Sequence, residues 1–160
     1  MQVEVHCEPS KQLIQRQDLD LSIVTREPGT EIGQILRQER FVWMEARGFC
    51  PHEQTPLPLA MFNTDCFCRI WACNALDAMQ REYRIAYTSA SLSAISAVVT
   101  AGLAVTAQLE SLLTPDLRII GEAEGMPQLP SASIVLLRNP KNTSPVTECL
   151  AEHIADGFKL

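Results

Sequence analysis

Two strand-then-helix units stand back to back between residues 58 and 105 of this 160-residue chain, and they limit the fold more than any other feature. An apolar run over 58–62 leads through the polar turn Asn63-Thr64-Asp65 into a helical pattern over 66–80. A second run over 84–88 leads through Ser89-Ala90-Ser91 into a helical pattern over 92–101, which Gly102 closes before a strand over 103–107. Strands alternating with helices of this length need crossover connections, so a parallel sheet is expected. In such sheets ligands sit beyond the carboxyl ends of strands, beside helix N-termini. Both polar turns are therefore candidate walls of one small-molecule site.

An apolar fraction of 46% permits a buried core. The net charge is −6 and no basic run occurs, which argues against this segment gripping nucleic acid itself. No stretch approaches a membrane span. The N-terminus, Met1-Gln2-Val3-Glu4-Val5-His6, has no export pattern, so a cytoplasmic protein is expected. The cysteines are Cys7, Cys50, Cys66, Cys68, Cys73 and Cys149. On a helix, Cys66 and Cys68 would point about 200° apart. Buried, reduced thiols are the expectation. No histidine or second cysteine pair stands at ligand spacing, so neither a metal nor a cofactor is expected.

Along the chain, Val3, Val5 and Cys7 alternate with Glu4 and His6, which predicts a strand over 2–7. Pro9-Ser10 opens a short helix over 10–17, with Ser10 as its N-cap. Residues 18–24 read as a strand ending at Thr25-Arg26, and 35–46 as a long strand. The stripe Cys68, Trp71, Ala72, Ala75, Leu76 and Met79 marks the core face of the first crossover helix, with Arg69 off it. Strands are expected over 117–120 and 133–137, with a linker over 121–130. Ser144-Pro145 starts a last helix that would turn Val146, Cys149, Leu150, His153 and Ile154 inward.

Catalytic groups are not expected. Ser89 and Ser91 lack a nucleophile-elbow pattern. His153 lies on an apolar stripe, and His52, beside Glu53, has no nucleophile to serve. The chain reads as a non-enzyme.

These pieces, in their order and spacing, resemble the effector-binding domain of LysR-type transcriptional regulators. The residues that carry the likeness are Asp18-Leu19-Asp20-Leu21-Ser22-Ile23-Val24-Thr25-Arg26, Arg40-Phe41-Val42-Trp43-Met44, Pro58-Leu59-Ala60-Met61-Phe62 and Cys66-Phe67-Cys68-Arg69. Tyr83-Arg84-Ile85-Ala86-Tyr87-Thr88-Ser89, Ala101-Gly102-Leu103-Ala104-Val105, Leu117-Arg118-Ile119-Ile120-Gly121 and Met126-Pro127-Gln128-Leu129-Pro130 continue it. The resemblance implies an α/β fold of two lobes, like type II periplasmic binding proteins, with a small effector in the cleft. Lobe one would be 1–45 plus 121–160, and lobe two 46–120. Relative to the family, the helix-turn-helix is absent, so DNA binding would belong to a missing N-terminal domain. The first strand and helix of lobe one are also absent, leaving that lobe incomplete. Gln17 stands where the family usually has a glycine in left-handed geometry.

Effector contacts are expected at Ser10, Thr25, Arg26, Asp65, Cys66, Phe67, Thr88 and Ser89. Free N–H groups at helix N-termini favour an anion such as an organic acid, and Arg26 could pair with it bidentately. The blander reading makes Ser10, Thr64 and Ser89 ordinary caps and Arg26 a solvated charge. The resemblance also implies self-association through the segment from Val3 to Gln17. The alternative on the same fold is a fragment of a transporter's solute-binding protein.

Overall fold

The computed structural model describes every residue except Met1, Pro9, Pro28, Glu31, Thr143 and Leu160. Pro9, expected to open the first helix, thus lies outside the described residues. The chain forms two compact units, Met1–Glu39 with Ser131–Leu160, and Arg40–Pro130.

In the first unit, α1 (Ser10–Gln15) leads to β1 (Leu21–Arg26). β1 pairs antiparallel with β7 (Ser131–Arg138), from Leu21 opposite Arg138 to Arg26 opposite Ser133. β7 has β2 (Gln34–Ala46) on its other side, and its residues 132–136 are all buried, as suits a strand flanked on both edges. Asn139 ties the turn after β7 to the stretch before β1, donating through Nδ2 to the Gln17 and Leu19 carbonyls at 2.9 and 3.1 Å.

Three expectations fail here. Residues 2–8 form no strand and are mostly exposed, Val5 at 79%. Their alternation has no paired neighbour among the described residues, so it organises no ladder. Gln17 does not take left-handed geometry; among the described residues the non-glycine residue that does is Gln80, at φ 56°. In α4 (Pro145–Gly157) the inward face is Thr147, Ala151 and Ala155, whereas Val146, Cys149 and His153 are exposed. Leu150 and Ile154, also expected inward, are half-buried, so the buried face is centred on the small side chains beside them. Its start is as expected: Ser144 Oγ accepts from the Thr147 N–H at 3.1 Å, with Pro145 in the first turn.

In the second unit, β3 (Leu57–Met61) runs parallel to β4 (Tyr83–Thr88), with α2 (Phe67–Ala78) between them and α3 (Leu92–Thr100) after them. All five residues of β3 are buried. The expected strand over 103–107 is cut short. Val105 bridges to Leu59 in parallel, its N–H donating to the Pro58 carbonyl at 2.9 Å, and the chain then leaves that sheet. It continues as β5 (Thr106–Leu109), antiparallel to the second half of β2, which also pairs with β6 (Leu117–Ile120). Val42, Met44, Ala46, Ala60, Ile95, Val99, Ala104 and Leu117 pack into a core cluster between these elements.

Glu45, on β2, is completely buried in that unit. Its carboxylate meets His52 Nδ1 at 2.7 Å and Arg118 Nη2 at 2.5 Å. Burial alone would lower the Arg118 pKa, but its hydrogen bond to Glu45 and the charges of Glu45 and Glu124 outweigh that and raise it. Arg81 donates to the carbonyl oxygens of His52, Gly125 and Glu124, the last at 3.2 Å. One guanidinium thereby fastens the turn before β3 to the loop after β6, next to the start of β4. Among the described residues no helix is long and apolar enough to cross a membrane.

Candidate functional site

In the second unit the parallel pairing puts the ends of β3 and β4 side by side, with Met61 opposite Thr88. The Ser89 N–H donates to the Met61 carbonyl at 3.2 Å, which carries the pairing one residue past the strands. Each strand delivers its chain into a helix at this end. The N-terminus of α3 is satisfied from within. Ser91 Oγ accepts from the Ala94 N–H at 3.4 Å, and Ser89 Oγ accepts from the Ser91 N–H at 3.0 Å. Ser89 therefore braces the turn, and the cap itself is Ser91.

The N-terminus of α2 differs. Its N-cap is Cys66, extended at φ −78° and ψ 122°, and no side-chain hydrogen bond of normal geometry caps the helix. The positive end of the helix dipole remains there, and the Arg69 and Ile70 N–H groups donate to the Cys66 carbonyl at 3.1 and 3.3 Å. Asp65 lies exposed in the turn before it. Arg69, in the first turn of α2, donates from Nη1 to the Phe62 carbonyl at 3.1 Å and reaches Thr88 Oγ1 at 3.5 Å. A guanidinium thus spans the ends of both strands. On α2, Phe67 and Trp71 pack edge to face at 4.8 Å between centroids, and both rings stand on the buried Phe41 at 6.4 and 6.0 Å. Phe67 and Trp71 are half-buried, so they are a wall as well as packing.

Arg69 and Trp71 were not among the expected site residues. Arg69 carried a readable signal: a cation in the first turn of a helix that begins at a strand's end must lie over that end. Trp71 was assigned wholly to the core by its spacing, yet the fully buried stripe of α2 is only Ala72 and Leu76, and Met79 is exposed.

The thiols also depart from expectation. Cys7, Cys50 and Cys149 are exposed, Cys66, Cys68 and Cys73 are half-buried, and all are free. Because Cys66 caps the helix instead of starting it, the about 200° separation of a regular helix does not apply to it. Its thiol is held down to about 6 by a hydrogen bond from the Cys68 thiol, helped by the backbone N–H groups of Cys68 and Arg69 against the cost of burial. The Cys68 thiol is raised in turn, by that same hydrogen bond, by burial and by the charge on Cys66.

In the first unit the expected residues meet locally. Ser10 is the first residue of α1, and its Oγ accepts from the Thr25 N–H at 3.2 Å. The hydroxyl thus links α1 to β1, where it was expected to cap its own helix. Thr25 and Arg26 are the last residues of β1, and Arg26 Nη1 donates to the Thr30 carbonyl at 3.0 Å. Arg26 Nε is buried with no hydrogen-bond partner among the described residues. Ser10, Thr25 and Arg26 belong to one unit, and Asp65, Cys66, Phe67, Thr88 and Ser89 to the other. Chemically, each group offers hydrogen-bond donors and one guanidinium at strand ends, and the second adds an aromatic wall.

The family model for the LysR substrate binding domain matches residues 1–159. The chain belongs to this family. It is similar to the HTH-type transcriptional regulator DgdR of Burkholderia cepacia, 34% identical over 155 residues, which are 95% of this chain and 53% of that protein. The chain spans about half the length of the curated relatives it matches. Those relatives are transcriptional regulators, which decides for an effector-binding domain of a LysR-type regulator over a transporter's solute-binding protein. Among solved structures, the apo regulatory domain of HypT from Salmonella typhimurium superposes with a TM-score of 0.77 at 12% identity, covering 98% of this chain and 82% of that one. The regulatory domain of CcmR from Synechocystis PCC6803, in complex with 2-PG, gives 0.69 at 19%, covering 94% and 80%. The shared fold is the two-lobed α/β fold of LysR regulatory domains, which is like that of periplasmic binding proteins.

Proposed function

We propose that this effector-binding domain takes a small organic anion, with a flat or apolar body, at the carboxyl ends of β3 and β4. The observation that carries this reading is Arg69, in the first turn of α2, held across both strand ends. A carboxylate there would meet a guanidinium and the positive end of the α2 dipole together. Cys66, Phe67, Thr88 and Ser89 would line that place, with Asp65 at its rim. Ser10, Thr25 and Arg26 would supply a second set of donors in the first unit. The two compact units correspond, on this reading, to the two lobes.

The domain would act in a cytoplasmic, DNA-binding regulator and have no enzymatic role, DNA being gripped by a separate helix-turn-helix. A ligand shifts such a regulator only by binding one arrangement more tightly than another. Self-association would use the segment from Val3 to Gln17, where Val3, Val5 and Ile14 are exposed.

A melting screen over small mono- and dicarboxylic acids tests the reading. An acid that raises Tm in a concentration-dependent way is expected, with an affinity that falls about tenfold or more in Arg69→Gln, the loss of a charge-assisted pair. A panel that leaves Tm unmoved, or an affinity indifferent to Arg69→Gln and Arg26→Ala alike, would overturn it.

A further inference from the structure

We propose that Arg26 and Ser133 form a binding site for the carboxylate group of a small acid, at the end of β1. The site is built within the first unit and does not rest on the reading of Arg69. Arg26 and Ser133 stand directly opposite each other in the antiparallel β1–β7 pair. Residues so placed share a face of the sheet, with Cβ atoms about 4.5–5.5 Å apart. Ser133 is only 4% exposed, so its hydroxyl is sheltered from water. Arg26 Nη1 donates to the Thr30 carbonyl at 3.0 Å. That carbonyl is itself held, because it accepts the Ile32 N–H at 2.9 Å, and Thr30 Oγ1 donates to the Glu27 carbonyl at 2.8 Å. The guanidinium is thus oriented from one side. Its other edge, Nε with Nη2, is the fork that a carboxylate fits. Nε on that edge is buried without an acceptor among the described residues.

The charges of the first unit point the same way. Arg16 pairs with Glu8 and Asp18, Arg37 with Glu39, and Arg138 with Glu148. Arg26 is the remaining arginine of that unit, and its acceptor is a neutral carbonyl. Among the described residues no carboxylate answers its charge. Arg37 Nε is also buried without an acceptor, but Glu39 meets the Arg37 charge. A buried donor on a charged group is costly to leave unbonded. A carboxylate removes that cost and neutralises the guanidinium in one step. Its two oxygens take the N–H groups of Nε and Nη2 in the guanidinium plane, and a remaining lone pair accepts from the Ser133 hydroxyl.

Nuclear magnetic resonance on the 15N-labelled chain tests the site, with sodium acetate as the probe and sodium chloride holding the ionic strength constant. The Arg26 Nε–H signal, identified by its loss in Arg26→Lys, should move to saturation as acetate is added. The backbone N–H of Ser133 should follow the same curve. Read on that second signal, Kd should rise about tenfold or more in Arg26→Lys, which keeps the charge and loses the fork. Ser133→Ala should raise it about threefold or more, the loss of one hydrogen bond. Arg69→Gln should leave the curve unchanged, which separates this site from the one at the ends of β3 and β4. Well-dispersed spectra of the variants show that each is folded. An Arg26 Nε–H that moves no further with acetate than with chloride would overturn the proposal. So would a Kd indifferent to Arg26→Lys, a Kd indifferent to Ser133→Ala, or a curve abolished by Arg69→Gln.

Discussion

His52 Nδ1 lies 2.7 Å from the Glu45 carboxylate, although these residues belong to a turn and a strand on either side of a glycine-containing loop. The carboxylate has no exposure to water, and Arg118 reaches it from β6. Removing one partner of a buried ionic cluster leaves charge stranded in a low-dielectric interior. Arg118→Ala, which leaves the Glu45 carboxylate buried without its cation, should cost about 3–5 kcal/mol in urea unfolding. A double-mutant cycle between Glu45 and His52 should return a coupling of roughly 0.5–3 kcal/mol. A cycle that closes at zero would show that the pair is adjacent without interacting.

Cys66 gives a pH dependence whose sign is fixed. Its thiol sits at about 6 in the folded chain against an ordinary 9.0. The thiolate's contribution is therefore fully present above the ordinary value, and it is lost as pH falls through about 6. Under reducing conditions the stability gap between wild type and Cys66→Ala should widen as pH is raised from 6 to 9. Thermal melts across that window measure it. A gap that is flat or narrows contradicts the arrangement around the α2 N-terminus.

Gly33 has φ +105°, and a Cβ there would lie 2.7 Å from the Leu136 carbonyl oxygen. That neighbour is backbone of β7 and has little freedom to yield. Gly33→Ala should destabilise by about 1–3 kcal/mol. Gly157, which ends α4, has open space around its Cα and no left-handed backbone. There the same change should stabilise by about 0.5–1 kcal/mol. Parallel denaturation of the two variants should give shifts of opposite sign.

The inward face of α4 can be tested the same way. Ala151→Leu adds volume where no water reaches and should cost about 1–3 kcal/mol. Val146→Ser changes an exposed position and should stay within about 0.5 kcal/mol. If Val146→Ser were the costlier, the helix would be rotated from its observed setting.

Elements whose evidence is local were legible in the sequence. The alternation of strands and helices in β3–α2–β4–α3, the long β2 and the Ser144 cap all follow from periodicity and end signals. Elements that depend on a neighbour were not. Residues 2–7 alternate well, but a strand needs something to pair with. Val105 holds to β3 by a single bridge because the next residues have a better partner in β2. The position of Thr88, Ser89, Cys66 and Phe67 at the ends of β3 and β4 was readable because the turns follow from the strand–helix alternation. Trp71 was hidden because one ring serves both core and surface, and the meeting of Glu45 with Arg118 was hidden because 73 residues separate them.

The parallel pair in the second unit has two unlike ends. At the amino ends of β3 and β4, Arg81 rivets three carbonyl groups from two separate loops. At the carboxyl ends Arg69 reaches one carbonyl and one hydroxyl, and the turns that carry Cys66, Phe67 and Ser89 answer mainly to their own helices. Substitutions can therefore accumulate at one pole while the scaffold is held at the other. Relatives on this frame could diverge in chemical taste without first having to re-solve how to fold.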